Sequence, residues 1–137
     1  MQKNKKEDGV HDMLGSLFIV LFVFFMLFVY IGFSESVSMK LNCDNIAKTY
    51  LYRMEAAGYL TTGEGSDFEE MEQRFRSIGA TITDIGTTKT QVPYGKLVTL
   101  HILVKFPNPL SKHVTLDLLE VPDTVEYEIK LEATAKW

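Results

Sequence analysis

The stretch MLGSLFIVLFVFFMLFVYIGF, residues 13–33, decides how the rest of this chain is read. It contains no charged residue, and only Ser16 and Tyr30 carry a polar side chain. An α-helix rises about 1.5 Å per residue and the hydrocarbon core of a bilayer is about 30 Å thick, so about 20 apolar residues cross it. The length and composition of this stretch therefore predict a membrane-spanning helix.

Two alternatives to a retained span are open for this stretch. A cleaved signal peptide usually has an apolar region of about 7–15 residues that ends in a small-x-small cleavage site. The small residues Gly32, Ser34 and Ser36 match such a site poorly. A buried core helix would need a domain large enough to cover a helix that is apolar on every side. A retained, single-pass span is the prediction that fits the residues best.

The basic residues near the span predict its orientation. Lys3, Lys5 and Lys6 precede it closely, whereas the basic residues after it are spread over a longer stretch. Because Lys and Arg are enriched on the cytoplasmic side, residues 1–12 are expected in the cytoplasm. The C-terminal domain is then expected to be extracytoplasmic, on a protein of the cell membrane.

Five residues of the span are candidates for packing against neighbouring helices. Phe18, Phe22 and Phe25 follow i, i+4, i+7 spacing, so they share one helix face. Gly15 and Ser16 are small and would allow close approach of another backbone. The alternative is that the aromatic side chains only face lipid.

Residues 34–60 are predicted to continue the span as an amphipathic helix. No proline or glycine interrupts the chain from Ser34 to Ala57, and Gly58 then favours termination. Apolar residues recur at nearly helical spacing. They are Val37, Leu41, Ile46, Tyr50, Met54 and Ala57, with Ala47 and Leu51 beside them. This apolar stripe is expected to pack on the apolar face of the sheet.

Residues 61–137 are predicted to form an α+β domain. Ser66 and Glu69 have the spacing of a capping box before a short amphipathic helix, which Gly79 closes. From Ala80 the apolar period changes to two, which indicates antiparallel strands with one buried face. Residues 113–121 fit either a short strand or a loop that covers a sheet edge. The expected fold is a pilin-like lollipop, with a long helix, a short helix and three or four strands.

The residues outside the span do not form a persuasive catalytic or metal-binding set. The net charge of −4 gives no basic face for nucleic acid. A zinc site needs local Cys or His pairs, and His11, His101 and His113 lie far apart. Cys43 is better interpreted as a small buried hydrophobic residue than as a nucleophile. The acidic run at residues 67–73 fits a helix N-terminus better than a calcium loop. We therefore expect no enzyme activity, cofactor, metal or small-molecule substrate.

Several segments together resemble a TadE-like minor pilin or a related pseudopilin of secretion and conjugation clusters. They are the span at 13–33, AAGYLT at 56–61, FEEMEQRFRSIGA followed by TITDIGTT, and VPYGKLVTLHILVKF. The resemblance covers most of the chain. It implies a structural, non-catalytic, membrane-anchored component of a cell-surface secretion, conjugation or pilus apparatus. The expected partners are the membrane and other subunits of such an apparatus, including further copies of the chain.

The chain departs from type IV pilin-like precursors at the start of the apolar helix. Those precursors usually carry a glycine cleavage site that is followed closely by glutamate. Neither Gly9 nor Gly15 has a glutamate at the fifth following position, although Asp12 follows Gly9. An unprocessed, membrane-resident subunit is therefore expected rather than a major filament subunit. The alternative function is a bitopic scaffold or sensor subunit with a small extracytoplasmic ligand-binding domain.

Overall fold

The computed structural model describes residues 4–109, 111 and 122–136. Within them, two helices precede three strands. Helix α1 is Asn4–Ala57 and helix α2 is Asp67–Ser77. Strands β1, β2 and β3 are Thr81–Asp84, Leu97–Pro107 and Thr124–Thr134. This order confirms the predicted α+β class, with a long apolar N-terminal helix, a short helix and an antiparallel sheet.

The chain divides into two units, Met1–Glu35 and Ser36–Trp137. The described part of the first unit is helical, and its large apolar side chains are exposed. The second unit contains the rest of α1, helix α2 and the sheet, and it has its own hydrophobic core. The second unit therefore buries its apolar side chains in its own core, whereas the described part of the first unit leaves them exposed.

Helix α1 ends and helix α2 begins where the sequence predicts. Gly58 follows α1 with φ +80°, a conformation that side chains with a Cβ rarely adopt, and its N–H donates to the carbonyl of Met54 at 2.7 Å. Ser66 caps α2 by accepting a hydrogen bond from the N–H of Glu69 at 3.3 Å. The Glu69 carboxylate accepts from the N–H of Gly65 at 2.6 Å. In a capping box the Glu69 carboxylate would accept from the N–H of Ser66. Here it accepts from the N–H of the residue before Ser66 instead.

The three strands form an antiparallel sheet in the order β1-β2-β3. The register pairs Ile82 with Val104 and Ile102 with Ile129. Along the central strand β2, every second side chain is buried, from Val98 to Phe106. The period of two that the sequence shows in this stretch is therefore the alternation between a core face and an outer face of the sheet.

The core of the second unit lies between helix α1 and the inner face of the sheet. Cys43, Ala47, Tyr50 and Met54 are fully buried on one face of α1, and they belong to the same cluster as Leu100, Ile102 and Val104 of β2. Met71 and Phe75 add the buried face of α2, as their helical spacing predicts.

Two residues of the predicted apolar stripe of α1 lie outside the core. Val37 is 40% exposed and Leu41 is 57% exposed. Counting back from Met54 at 3.6 residues per turn leads to Cys43 and then to the partly buried Met39. Val37 and Leu41 lie more than 100° around the helix axis from the centre of this buried stripe. The prediction that they share the core-facing stripe was wrong, because a step of five residues in the apolar pattern had hidden a change of face.

Some predictions lie outside the described residues. They concern the strand or loop at residues 113–121, His113, Trp137 and Lys3.

Candidate functional site

The predicted membrane span is the most exposed apolar surface of the described chain. Helix α1 is the one described helix that is long and apolar enough to cross a membrane, and no part of its apolar window is buried by other described residues. Phe18, Phe22 and Phe25 are 70%, 59% and 61% exposed. Soluble proteins seldom expose a large contiguous apolar patch. The chain therefore contains a candidate membrane span near its N-terminus.

The three phenylalanines of the predicted packing set share one face of this exposed helix, whereas Ser16 lies on another face. At 100° per residue, Phe18, Phe22 and Phe25 fall within about 60° of one another around the helix axis. Ser16 donates its hydroxyl hydrogen to the carbonyl of Met13 at 2.9 Å, as its place in an apolar helix predicts. A Cβ on Gly15 would meet no heavy atom within 4 Å. Their role in packing against another helix stays a prediction.

An ion-pair cluster holds helix α2 against the second part of α1. One Nη of Arg53 donates to Asp67 and to Glu70, at 2.8 Å each. The Tyr50 ring lies under two guanidinium groups, at 5.0 Å from Arg53 and 5.8 Å from Arg74. The hydrogen bonds from Arg53 hold the pKa of Glu70 below its usual value. No spacing in the sequence predicts this cluster, because α1 and α2 meet only in the folded chain.

The acidic run at residues 67–73 has structural partners within the second unit. Asp67 and Glu70 bind Arg53, Glu69 accepts from Gly65, and Glu72 pairs with Arg76 at 2.6 Å. Asp67 also accepts a hydrogen bond from the Thr61 hydroxyl at 3.1 Å. In the described ranges, no group of three or more His, Cys, Asp or Glu side chains is placed to hold a metal ion.

Cys43 and His101 do not come together. Cys43 is fully buried in the core, whereas His101 lies on the outer face of the sheet, where its Nε2 contacts the Glu128 carboxylate. Burial raises the pKa of the Cys43 thiol, although a hydrogen bond with Tyr127 opposes this effect. A raised pKa reduces the thiolate, which is the nucleophilic form. This environment is that of a structural cysteine.

Asp84 anchors the turn after β1. Its carboxylate accepts the N–H of Gly86 at 3.3 Å and the N–H of Thr87 at 2.9 Å, and it pairs with Lys89 at 2.5 Å. Burial alone would raise the pKa of Asp84, but the hydrogen bonds from Lys89 and Thr87 outweigh it and lower the pKa to about 2. The segment that follows is tied to the core unit by Thr88, whose carbonyl accepts from Leu60 at 2.9 Å.

Comparisons with protein families, with curated proteins and with solved structures each find no match to this chain. The class that the described residues define is therefore an α+β protein with one candidate membrane span. The resemblance to TadE-like pilins rests on the sequence segments alone.

Proposed function

We propose that this chain is a structural, non-catalytic component of a cell-surface secretion, conjugation or pilus apparatus, anchored in the membrane by residues 13–33. The observation that carries the proposal is the continuity of α1. One uninterrupted helix, Asn4–Ala57, has an apolar surface on all sides over residues 13–33 and a core-facing stripe in its second part. Pilin-like subunits have this plan, in which one helix serves both as anchor and as part of the folded domain.

The proposed location is the cell membrane, with one pass and the second unit outside the cytoplasm. The density of lysines before the span supports this orientation. The use of the charged and polar side chains within the second unit supports a structural role, because the clusters around Arg53 and Asp84 hold helices and turns. The proposed partners are membrane lipid and the helices of other subunits.

Cysteine labelling of intact cells tests the orientation. In a Cys43→Ala background, Thr90→Cys places a thiol at an exposed loop position of the second unit, and Lys5→Cys places one before the span. A membrane-impermeant maleimide should label the first and not the second until the cells are broken. Labelling of Lys5→Cys alone would reverse the topology and remove the extracytoplasmic role.

Intact mass measurement separates a retained span from a cleaved signal. The membrane-extracted protein should retain residues 13–33. A mature N-terminus near Ser36 would show that the apolar stretch is a signal peptide. A mature N-terminus at Val10 or Ser16 would instead indicate processing of the kind that filament subunits undergo.

Substitution of the phenylalanine face tests the packing role. Replacing Phe18, Phe22 and Phe25 with leucine should preserve insertion, because leucine is also strongly apolar in lipid. It changes side-chain shape, on which helix association in a bilayer depends. Crosslinking to apparatus subunits should therefore fall at constant membrane content. The control replaces Phe24 and Phe28, which lie largely on another face. Unchanged crosslinking in both variants would leave the span as an anchor only.

A further inference from the structure

Strand β3 pairs with β2 along one edge, and no strand of the described residues pairs with its other edge, called the open edge below. Strand β2 pairs with it along its whole length, from Leu97 opposite Thr134 to Pro107 opposite Thr124. The strand order places β3 at the end of the sheet, and within residues 4–109, 111 and 122–136 no other strand pairs with it. An edge of 11 residues is long, and such an edge can template pairing with another chain.

The backbone direction identifies which residues face the open edge. The N–H of Ala135 donates to the carbonyl of Lys96 at 2.8 Å, and the carbonyl of Ala135 accepts from Gly95 at 2.9 Å. Both polar groups of Ala135 thus point to the β2 side. Successive residues of an antiparallel strand alternate between the two sides. The N–H and C=O groups of the even-numbered residues from Glu126 to Thr134 therefore point to the open edge.

We propose that this edge pairs antiparallel with the same edge of a second copy of the chain, about a two-fold axis at Leu131. The proposal does not depend on the role of residues 13–33. In this register the outer-face side chains are complementary in charge. Lys130 lies opposite Glu132 of the second copy, and Glu126 lies opposite Lys136 of the second copy. By symmetry each of these contacts occurs twice.

Neighbouring registers bring like charges together. A two-fold axis at Glu128, Lys130 or Glu132 places that charged residue opposite itself. An axis at Ile129 places Glu126 opposite Glu132 of the second copy. Like charges directly opposite each other destabilise a strand pair, so among these registers the one centred on Leu131 is favoured.

The inner-face side chains also suit the register at Leu131. Leu131 lies opposite its own copy, Ile129 opposite Ala133, and Tyr127 opposite Ala135. Large residues thus face small ones on either side of the axis. Tyr127, Leu131 and Ala133 are only partly buried within one chain and pack against the edge of its core. Pairing would extend the apolar layer of one copy into the next, and such cross-strand pairs are the units of sheet stabilisation.

The charged side chains along the edge are exposed and can reorient toward a second copy. Within one chain, Lys130 pairs with Glu132 at 3.4 Å, and their side chains are 56% and 47% exposed. Lys136 pairs with Glu55 at 3.1 Å and Glu126 pairs with Lys105 at 2.7 Å, and the Lys136 and Glu126 side chains are 67% and 48% exposed. Exposed ion pairs contribute little to stability, so reorienting these side chains toward a second copy costs little.

Charge exchange tests the pairing in the full chain in detergent, with sedimentation as the readout. Lys130→Glu and Glu132→Lys should each weaken self-association by about tenfold or more, since each sets like charges opposite each other twice. An equimolar mixture of the two variants should restore association, because each copy then meets the opposite charge. The double variant Lys130→Glu/Glu132→Lys should associate as the unmodified chain does. Restoration by mixing cannot come from the intrachain Lys130–Glu132 pair, which stays broken in both variants.

Disulfide trapping tests the register directly. In a Cys43→Ala background, differently tagged copies with Lys130→Cys and Glu132→Cys should crosslink, because directly opposite Cα atoms lie about 5.5 Å apart. Glu128→Cys alone should not, because the two copies of residue 128 would lie about 20 Å apart. A monomeric unmodified chain, single variants that associate normally, a mixture that fails to recover, or pairing of β3 with residues of its own chain would each overturn the proposal.

Discussion

Each part of helix α1 carries a leucine at nearly the same exposure, but the residues around the two leucines differ. Leu21 is 56% exposed and Leu41 is 57% exposed. Around Leu21 the neighbouring residues are apolar on every side of the helix. Around Leu41 most neighbouring residues are polar; Val37 lies on the same side of the helix, and Met39 and Cys43 lie on the face that packs on the sheet. The exposure of one residue thus says less about its environment than the pattern around the helix axis.

The two patterns correspond to two ways of removing apolar surface from water. The second unit buries its own, in a core formed by one face of α1, helix α2 and the sheet. The described part of the first unit has no core to bury it in, and a bilayer would supply the apolar surroundings.

A charge in the core should have the largest effect. Ile129 is 5% exposed and pairs with Ile102 in the sheet. Ile129→Glu would bury an unpaired carboxylate and should destabilise the second unit by about 3–5 kcal/mol or more. Lys130→Gln, at the exposed neighbouring position, should cost less than about 0.5 kcal/mol. Thermal unfolding followed by circular dichroism checks both, and equal effects would contradict the assigned faces.

A matched pair of leucines tests the span itself. Leu21→Asp should disfavour membrane insertion by about 2.5–3.5 kcal/mol, the cost of a charge near the centre of a transmembrane helix. Leu41→Asp, at nearly the same exposure, should leave insertion and unfolding close to unchanged. The carbonate-resistant membrane fraction measures the insertion. Loss of insertion in both variants, or in neither, would break the comparison between the two parts of α1.

Acid should weaken the second unit through Asp84. Its pKa is about 2 in the folded chain, below its ordinary value of 3.8, so its ionised form stabilises the fold above pH 4. That stability is lost as the pH falls from about 4 to about 2. Asp84→Asn should therefore cost about 1–2 kcal/mol at pH 7 and progressively less toward pH 2. Denaturant unfolding across this range gives the difference, and a constant difference would exclude the carboxylate as its cause.

The smallest expected effect concerns the cap of α2. Ser66→Ala removes the acceptor for the N–H of Glu69 and should cost about 1 kcal/mol. Ser66→Asp should recover most of the loss, because Asp is an equally good cap. Amide hydrogen exchange of Phe68 to Met71 reports on this turn. Protection that is unchanged in Ser66→Ala would show that the cluster around Arg53 holds the turn without the cap.

Much of the second unit was predictable because its signals are local. The ends of the helices follow from Gly58 and Ser66, and the alternation in β2 follows from the pleat of a strand. The assignment of Val37 and Leu41 to the core was wrong because their spacing from Ile46 is close to helical without being in phase with it. The phase is fixed only by the position of the sheet against Cys43 and Tyr50.

Periodicity and single turn residues were enough to predict the apolar segment, the order and type of the elements and the two faces of the strands. Only the folded chain shows which face of α1 is buried, which carboxylates bind Arg53 and which strands lie at the two ends of the described sheet. Those features join residues far apart in the chain. Arg53 and Glu70 are an example, since their contact exists only where two helices cross, and no spacing in the sequence encodes that distance.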